Sequence, residues 1–349
     1  MKIDVIIHLG VMSTVGVTSK SIWGDASRIG VGGSELGLLT MCEEWHKAGY
    51  DVTLYNNPSE PDASIFPQKP INSFSPQADR DVLVVFRAPD PRAVVAKGLK
   101  VWWSCDQQTV GDYRNFAPYV DKIVCISPFH QKYFRDVYGI EDTIVIDLPV
   151  RTQDYDEELG DHIIGNKVPY RLIFNSVPAR GLDNAYRQYK LIKKEVPQTS
   201  ITITSDYRLW GSGAGNEQFR TKWGALEDVI FLGAVPRKRL IQEQLQSQIH
   251  LYPCNYDELF CISVAENEYA GAYPVTSPVG AVSTTNMGSV IGLDPNDSHN
   301  DQVYADEVIR LLSDQEELFK KQYDLKKLAH ERFRPEVILK QWNEKVFNK

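Results

Sequence analysis

Short apolar runs recur along the chain and are separated by stretches in which apolar residues return every three or four positions. The runs are rich in β-branched and aromatic residues, which indicates strands. Because they are apolar almost throughout and alternate with amphipathic stretches, they are typical of a parallel sheet that is covered by helices on both faces. The first set of predicted strands covers 4–10, 51–55, 81–86, 100–104, 121–127 and 143–148.

A second set of the same kind begins after a change in composition. Residues 151–169 are polar, acidic and without periodicity, as expected of a linker between domains. The clearest helices on either side of this segment are 34–48 and 182–195, in which the apolar residues share one face. The second set of predicted strands covers 170–176, 200–205, 228–233, 248–253 and 273–277.

The repeated alternation predicts an α/β fold with two Rossmann-like doubly wound domains, one after the other along the chain. Their strand ends are expected to face a central cleft. We predict that the first domain covers 1–160 and the second 161–325. The amphipathic segment 326–349 predicts a C-terminal helix that packs back across the domain junction.

Composition narrows the function classes. The chain has 349 residues, of which 42% are hydrophobic and 24% are charged, as expected of a globular protein with two sizeable cores. Its net charge of −8 disfavours non-specific attraction to nucleic acid. No apolar run is long enough for a membrane span or a signal sequence. The five cysteines include no CxxC pair, which argues against a zinc site and a disulfide framework, so we expect a cytoplasmic protein.

Two glutamates stand eight positions apart in the stretch 257–277, DELFCISVAENEYAGAYPVTS. Glu258 falls in the predicted loop after a strand, and Glu266 falls on the predicted helix that follows. Because a carboxylate suits a diol, Glu266 is a candidate to bind a ribose and Glu258 to bind sugar hydroxyls. Unpaired backbone N–H groups at the start of the helix favour an anionic group such as a diphosphate. The residues that would supply these groups are Phe260, Cys261, Ile262 and Ser263.

This stretch resembles the E-x7-E signature of retaining glycosyltransferases of family four, which have the GT-B fold. The family form is close to E-G-F-G-L-x-x-x-E, and Leu259 and Cys261 replace its two glycines here. GVGGSELG at 30–37 resembles the family's glycine-rich loop, in which Gly32 and Gly33 would let backbone N–H groups approach a phosphate. The competing interpretation, a dinucleotide-binding fingerprint, lacks the third glycine at its required offset.

Three more segments are similar to parts of the family pattern. In FNSVPARGLD at 174–183, Arg180 occupies the basic position that grips the donor diphosphate. VIFLGAVP resembles the segment whose backbone meets the nucleotide base, with Val235 as the candidate contact. In KVWWSCDQQ, Cys105 stands where many members have a histidine. The adjacent Asp106 could orient a hydroxyl of the donor sugar or of the acceptor, or cap a helix.

The resemblance implies a hexosyltransferase-type glycosyltransferase that needs no metal ion and no cofactor. It would move a sugar from a nucleotide-diphosphate donor, with UDP favoured and GDP as the second choice, to an acceptor hydroxyl with the anomeric configuration kept. The acceptor, which is a glycan, a small molecule or a lipid-linked sugar, is expected at the first domain. Fixed positive potential from Arg180 and from helix N-termini would stabilise the departing diphosphate. The candidate catalytic residues are Glu258, Arg180 and Asp106.

Several alternatives stay open at this point. A nucleotide-sugar epimerase or phosphorylase of the same fold, or a non-catalytic two-lobed sugar-binding protein, would share much of this pattern. The triplet Asp154-Tyr155-Asp156 matches the D-x-D pattern that holds a metal in transferases of another fold, but it lies in the predicted linker. The basic patch at 236–240 is interpreted as a solvated first helical turn. The aromatic residues that would either stack on a sugar or pack in the core are Trp102, Trp103 and Tyr113.

Overall fold

The chain divides into two compact units. The first contains Met1–Gly24, Val31–Pro149 and the stretch from Phe333 onward, and the second consists mainly of Val150–Arg332. The structure is a computed structural model that describes residues 1–24, 29–210, 213 and 215–348.

Each unit is built on one sheet in which every neighbouring pair of strands is parallel. The strands of the first unit are β1 Lys2–Ile7, β2 Asp51–Tyr55, β3 Gln68–Lys69, β4 Val82–Phe86, β5 Leu99–Trp103, β6 Lys122–Cys125 and β7 Ile144–Val145. Those of the second unit are β8 Arg171–Phe174, β9 Ser200–Ile203, β10 Val229–Phe231, β11 Ile249–Tyr252, β12 Tyr273–Thr276 and β13 Ser289–Val290.

The strand orders are those of doubly wound sheets. The first sheet has the order β3-β2-β1-β4-β5-β6-β7, and the second has the order β10-β9-β8-β11-β12-β13. The direction of winding therefore reverses between β1 and β4 in the first unit and between β8 and β11 in the second. The predicted α/β fold with two Rossmann-like domains is confirmed. The two-residue strands β3 and β13 escaped prediction because they are too short to carry a periodic pattern.

Helices fill most of the connections between the parallel strands, and the two predicted most clearly, 34–48 and 182–195, are both present. Within the part of the chain that the structure describes, none of the helices has the length and apolar character of a membrane span. The helices are α1 Gly33–Lys47, α2 Tyr113–Phe116, α3 Pro128–Tyr133, α4 Thr152–Leu159, α5 Leu182–Glu195, α6 Asn216–Gly224, α7 Arg237–Gln246, α8 Ile262–Ala270, α9 Val282–Thr285, α10 Asp301–Ser313, α11 Gln315–Phe333 and α12 Pro335–Trp342.

The segment that was predicted to be a linker contains helix α4, so the prediction is wrong for these residues. The apolar residues Tyr155 and Leu159 are one helical turn apart, and both are buried. The hydroxyl of Tyr155 donates a hydrogen bond to Gln244 Oε1 at 2.8 Å, which ties α4 to α7. Because only these two apolar residues stand among acidic ones, the sequence shows no apolar periodicity that would predict the helix.

Tryptophans form much of the core of the first unit. Trp45 in α1, Trp103 in β5 and Trp342 in α12 are all buried. The ring of Trp342 lies 5.1 Å from that of Trp45 and 5.2 Å from that of Trp103, in edge-to-face contact. Trp102 points to the opposite face of the sheet and contacts Tyr113 at 4.9 Å. Core packing is therefore the role of these aromatic residues, and stacking on a sugar is excluded by their burial.

Candidate functional site

Two loops of the second unit meet where the order of its sheet reverses. Ligands of open α/β sheets bind outside the carboxyl ends of the strands at such a point. Arg180 lies in the loop after β8, and Glu258 lies in the loop after β11. Nη1 of Arg180 donates a hydrogen bond to Oε1 of Glu258 at 2.7 Å, so the structure brings these two predicted residues together.

The carboxylate of Glu258 is buried and has two donors. Besides Arg180, the hydroxyl of Tyr252 lies 3.0 Å from Glu258 Oε1 and 3.2 Å from Ser176 Oγ. Burial raises the pKa of Glu258, and the cation of Arg180 and the hydroxyl of Tyr252 oppose this rise without cancelling it. The guanidinium of Arg180 stacks on the ring of Tyr256 at 4.7 Å. Its side chain is 28% exposed, so it can reach a ligand while it is held on two sides.

Two glycines allow the backbones around this ion pair to approach each other closely. Gly181 has a φ of +106°, and a Cβ atom there would lie 2.3 Å from the carbonyl oxygen of Pro253. Gly280 has a φ of +58°, and its Cβ would lie 2.6 Å from the backbone nitrogen of Glu258. Only glycine fits such positions, because any side chain would meet both the strain of a positive φ and the neighbouring backbone. The loops that carry Arg180 and Glu258 are therefore fixed by backbone contact.

The N-terminus of α8 follows the same loop. Cys261 is the N-cap residue and adopts a left-handed conformation with φ +72°, which is uncommon for a residue other than glycine. Its thiol is buried, and burial raises its pKa well above the usual value. Phe260 is also buried, whereas Ile262 and Ser263 are half-buried. The first N–H groups of α8 have no partner within the helix, as at every helix start, and only Leu259, Phe260 and Cys261 separate them from Glu258 in the chain.

Glu266, on the next turns of α8, is bound to a cation that the sequence did not reveal. Nη1 of Arg237 donates to Oε1 of Glu266 at 2.8 Å, and Nε of Arg237 donates to Asp154 Oδ2 at 2.7 Å. Arg151 also donates to Asp154, at 3.1 Å. Burial tends to lower the pKa of Arg237, but the carboxylates of Glu266 and Asp154, together with Tyr155, outweigh it and raise the pKa.

The basic patch at 236–240 is therefore only partly a solvated turn. Lys238 and Arg239 are exposed and pair with glutamates, as the prediction implies. Arg237, whose side chain is 5% exposed, is instead buried between α4 and α8. The prediction is wrong for Arg237, because its partners come from distant parts of the chain and not from its own helix.

The acidic triplet in α4 is engaged by protein groups. Asp154 accepts from Arg151 and Arg237, and Asp156 accepts from the hydroxyl of Tyr269 at 2.7 Å. The described residues contain no group of three histidine, cysteine, aspartate or glutamate side chains that could hold a metal ion. Both carboxylates of the triplet thus have partners within the protein.

The segment that was predicted to meet the base, VIFLGAVP, consists of β10 and the loop that leads to α7. Val235 is half-buried and precedes Arg237 by two residues. Gly233 has a φ of +71° and lies close to the side chains of Asp206 and Arg208. A Cβ atom at this position would lie 2.4 Å from Asp206 Oδ2. Arg208 donates to the carbonyl oxygen of Ala234 at 3.1 Å, which fixes the backbone just before Val235.

The first unit has a second cluster of charged groups where its own sheet reverses direction. Arg87 directly follows β4 and has a left-handed backbone with φ +70°. Its guanidinium donates to Glu35, to Asp106 and, at 2.8 Å, to Ser13 Oγ. Thr109 donates to Asp106 as well. Although burial alone would lower the pKa of Arg87, the carboxylates of Glu35 and Asp106 raise it.

The remaining predicted residues of the first unit lie around this cluster. Gly32 is the N-cap of α1 and Gly33 is its first residue, and a Cβ on Gly32 would lie 2.7 Å from Glu35 Oε2. Cys105 is buried, and burial, with the adjacent Asp106, raises the pKa of its thiol well above the usual value. Arg87 was missed because only its position at a strand end marks it in the sequence.

Comparison with known proteins gives the following matches. The family model described as Glycosyl transferases group 1 matches residues 173–332. Among curated proteins, none matches the sequence significantly. A glycosyltransferase structure from Rickettsia africae is similar with a TM-score of 0.72 and 16% identity, over 100% of this chain and 99% of that chain.

Two further solved structures are similar over their full lengths. HepE of Anabaena in complex with UDP-glucose has a TM-score of 0.70 and 16% identity, with 100% of both chains covered. Sucrose-phosphate synthase from Thermosynechococcus elongatus has a TM-score of 0.67 and 14% identity, again with 100% of both chains covered. At these identities the similarity concerns the fold, and the predicted GT-B fold is confirmed.

Proposed function

We infer that this chain, which carries a glycosyl transferases group 1 domain over residues 173–332 and is thus a glycosyltransferase, moves a hexose from a nucleotide diphosphate to an acceptor hydroxyl. The transfer keeps the anomeric configuration and needs neither a metal ion nor a cofactor, as in family four, to which we assign the protein. The observation that carries this proposal is the ion pair of Arg180 and Glu258 at the reversal point of the second sheet, beside the N-terminus of α8.

Arg180 and α8 bind the diphosphate in this proposal. A guanidinium presents a planar set of donors that fits phosphate oxygens, and Glu258 and Tyr256 already fix its orientation. The first N–H groups of α8, at Ile262 and Ser263, add the positive end of the helix dipole. Because these charges are in place before the reaction, they stabilise the leaving diphosphate without a divalent cation.

Carboxylates bind the two sugars of the donor. Oε1 of Glu258 is engaged by Arg180, and the second oxygen accepts from hydroxyls of the transferred hexose. Glu266 accepts from the ribose, and the backbone at Val235 contacts the base. UDP is the favoured nucleotide and GDP the second choice, and HepE, one of the similar structures, was solved with UDP-glucose. UDP-glucose is therefore the first donor to test.

Asp106 serves the transferred sugar or the acceptor in the first unit, and Gly32 and Gly33 offer backbone N–H groups to the donor phosphates. Arg87 holds the carboxylate of Asp106 in one orientation, which suits a group that must bind a hydroxyl. The acceptor is a glycan, a small molecule or a lipid-linked sugar. A cytoplasmic location belongs to the same proposal and agrees with five cysteines that are all free thiols.

Calorimetric titration with UDP and UDP-glucose tests the donor site. We expect Arg180→Lys to weaken the binding of both by about ten-fold or more, because the ammonium keeps the charge and loses the planar fork. Glu258→Gln should weaken UDP-glucose more than UDP. Arg310→Lys, at an exposed position of α10, is the matched control and should bind as the wild type does. Unchanged affinities in both site variants would contradict the proposal.

Product analysis tests the reaction class. With UDP-glucose and a panel of acceptors, we expect acceptor-dependent release of UDP in the presence of EDTA, and an α-linked product by NMR. An epimerase would change the sugar without releasing UDP, and a phosphorylase would require inorganic phosphate. A protein that binds sugars without catalysis would give no turnover. Activity that appears only with manganese would refute metal independence.

A further inference from the structure

The carboxylate of Glu266 is oriented by a neighbouring helix. Glu266 lies on α8, whereas the cation that binds it, Arg237, is the first residue of α7. Asp154 of α4 binds the same guanidinium through Nε, and Arg151 binds Asp154 in turn. Three helices thus contribute to one row of alternating charges, which reads Arg151, Asp154, Arg237 and Glu266.

We propose that Arg237 positions Glu266 for the ribose of the nucleotide, and that Asp154 holds Arg237 in the orientation this requires. The proposal rests on the proposed function and adds to it a residue that acts through another and does not itself touch the substrate. Arg237 is therefore a positioning residue and Glu266 is the group that contacts the ligand.

The geometry of the guanidinium explains why an arginine stands at this position. It donates from Nε to Asp154 at 2.7 Å and from Nη1 to Glu266 at 2.8 Å, so one rigid plane joins two carboxylates on two helices. A lysine has the same charge, but its single nitrogen on a flexible stem cannot fix both partners. Arg237 occupies Oε1 of Glu266, and the ribose is bound by Oε2.

Burial gives the ion pairs their orienting effect. The side chains of Arg237, Asp154 and Glu266 are 5% or less exposed, so water screens their attraction little. Buried ion pairs contribute little net stability because desolvation offsets most of the attraction. Their effect is to fix the orientation of the Glu266 carboxylate. A carboxylate must be oriented in this way to accept hydrogen bonds from both hydroxyls of a diol. Arg237 also follows Val235 by two residues, so one short segment would serve both the base and the ribose.

Discrimination between ribose and deoxyribose reports on this arrangement directly. The probes are UDP, 2′-deoxy-UDP and 3′-deoxy-UDP, and the readout is the ratio of their dissociation constants by calorimetry. A hydrogen bond to a charged group predicts that the wild type binds UDP about ten-fold or more tightly than the deoxy nucleotides. If GDP binds and UDP does not, the corresponding guanine nucleotides are used.

In Arg237→Lys we expect this ratio to fall toward one, mainly through weaker UDP binding, while the affinity for the deoxy nucleotides changes little. Asp154→Asn should reduce the ratio in the same direction but less, because Arg237 keeps its contact with Glu266. Glu266→Gln should reduce it as well, and the double variant with Arg237→Lys should add no further loss. Arg239→Lys is the control, since Arg239 is exposed two positions along α7 and should leave the ratio unchanged.

Thermal unfolding of each variant separates folding from positioning. A folded Arg237→Lys that keeps the wild-type ratio overturns the proposal, and if this variant does not fold, the same result in Asp154→Asn overturns it. If neither variant folds, Glu266→Gln decides, and a wild-type ratio in that variant overturns the proposal. If the wild type binds UDP and the deoxy nucleotides equally well, the proposed roles of Glu266 and Arg237 are wrong, but the proposed function is not contradicted. A wild type that binds no nucleotide defeats the proposed function itself.

Discussion

The backbone conformation of individual residues determines whether the loops of the candidate donor site can contact each other. Gly181 follows Arg180 directly and combines a φ of +106° with a backbone contact to Pro253. We expect Gly181→Ala to destabilise the second unit by about 1–3 kcal/mol, because a Cβ there is strained and collides with a carbonyl oxygen. The measurement is urea unfolding followed by circular dichroism.

Gly224→Ala is the control for this substitution. Gly224 ends α6, its φ is not positive, and a Cβ there meets no atom within 4 Å. Alanine should therefore be neutral or stabilise the protein by a few tenths of a kcal/mol, since it restricts the unfolded chain. Equal effects of the two substitutions would show that the contact of Gly181 with Pro253 is not formed.

Cys261 has a backbone conformation that glycine adopts more readily than other residues. The residue before α8 needs a left-handed backbone, which glycine adopts without strain and which costs other residues about 1–2 kcal/mol. Here a cysteine adopts that conformation, and its buried side chain packs in the core of the second unit.

The residues of the site differ in how far the sequence reveals them. Arg180 and Glu258 could be chosen as candidates from the sequence because each stands in a short motif with fixed spacing. Arg237 and Arg87 could not, since their partners are far away in the chain: Asp154 is 83 residues from Arg237. No local pattern connects such positions, and only the folded chain brings them together.

Among the elements, central parallel strands were the easiest to predict. They are buried on both faces, so their sequences are apolar almost throughout, and the predicted runs differ from β1, β4, β8 and β11 only at their ends. Helix α4 is the opposite case, because it is short and buries only one edge. Its residue Asp154 forms ion pairs and is buried. A prediction from hydrophobicity alone treats such a charged residue as exposed.

Strand β11 contains a buried histidine, and we expect it to make the second unit sensitive to acid. His250 stacks on Tyr252 at 5.3 Å, and neither of its ring nitrogens has a hydrogen-bond partner among the described residues. Burial lowers the pKa of His250 to about 3. The unfolded chain binds a proton near pH 6.5 and the folded chain does not, so the stability is fully present above about pH 6.5 and is lost as the pH falls toward 3.

Between pH 7 and pH 5, the free energy of unfolding should fall by about 2 kcal/mol less in His250→Leu than in the wild type. Leucine has a similar volume and no protonation site, so the fold should be kept at pH 7. Urea unfolding at the two pH values measures the difference, and His299→Leu, at an exposed position, is the control. An equal loss of stability in wild type and His250→Leu would show that His250 is not buried in the folded state.

At the scale of the whole molecule, the last residues of the chain, from Phe333 onward, belong to the first unit and not to the second. The contact-defined units change at Pro149 and again at Phe333, and α12 packs on α1. The alternation of strands and helices could reveal two Rossmann-like domains, since each repeats the same pattern. Which unit receives the last helix could not be predicted, because an amphipathic face shows that it is buried but not what covers it.

Trp342 tests the role of this helix. We expect Trp342→Ala to destabilise the first unit by about 3–5 kcal/mol, because it opens a cavity between the rings of Trp45 and Trp103. Unfolding followed by tryptophan fluorescence should show an earlier transition for the first unit and an unchanged one for the second. Phe319→Ala, at an exposed position of α11, should leave both transitions in place. An unchanged first transition in Trp342→Ala would contradict the observed packing.

The late position of α12 has a consequence during synthesis. A ribosome delivers most of the first unit before the second, yet the indole that covers Trp45 arrives only after residues 150–332 have been translated. Until then α12 cannot cover Trp45, whereas residues 150–332 of the second unit are translated in one uninterrupted stretch. Translation that stops before Phe333 leaves the first unit without the helix that covers Trp45.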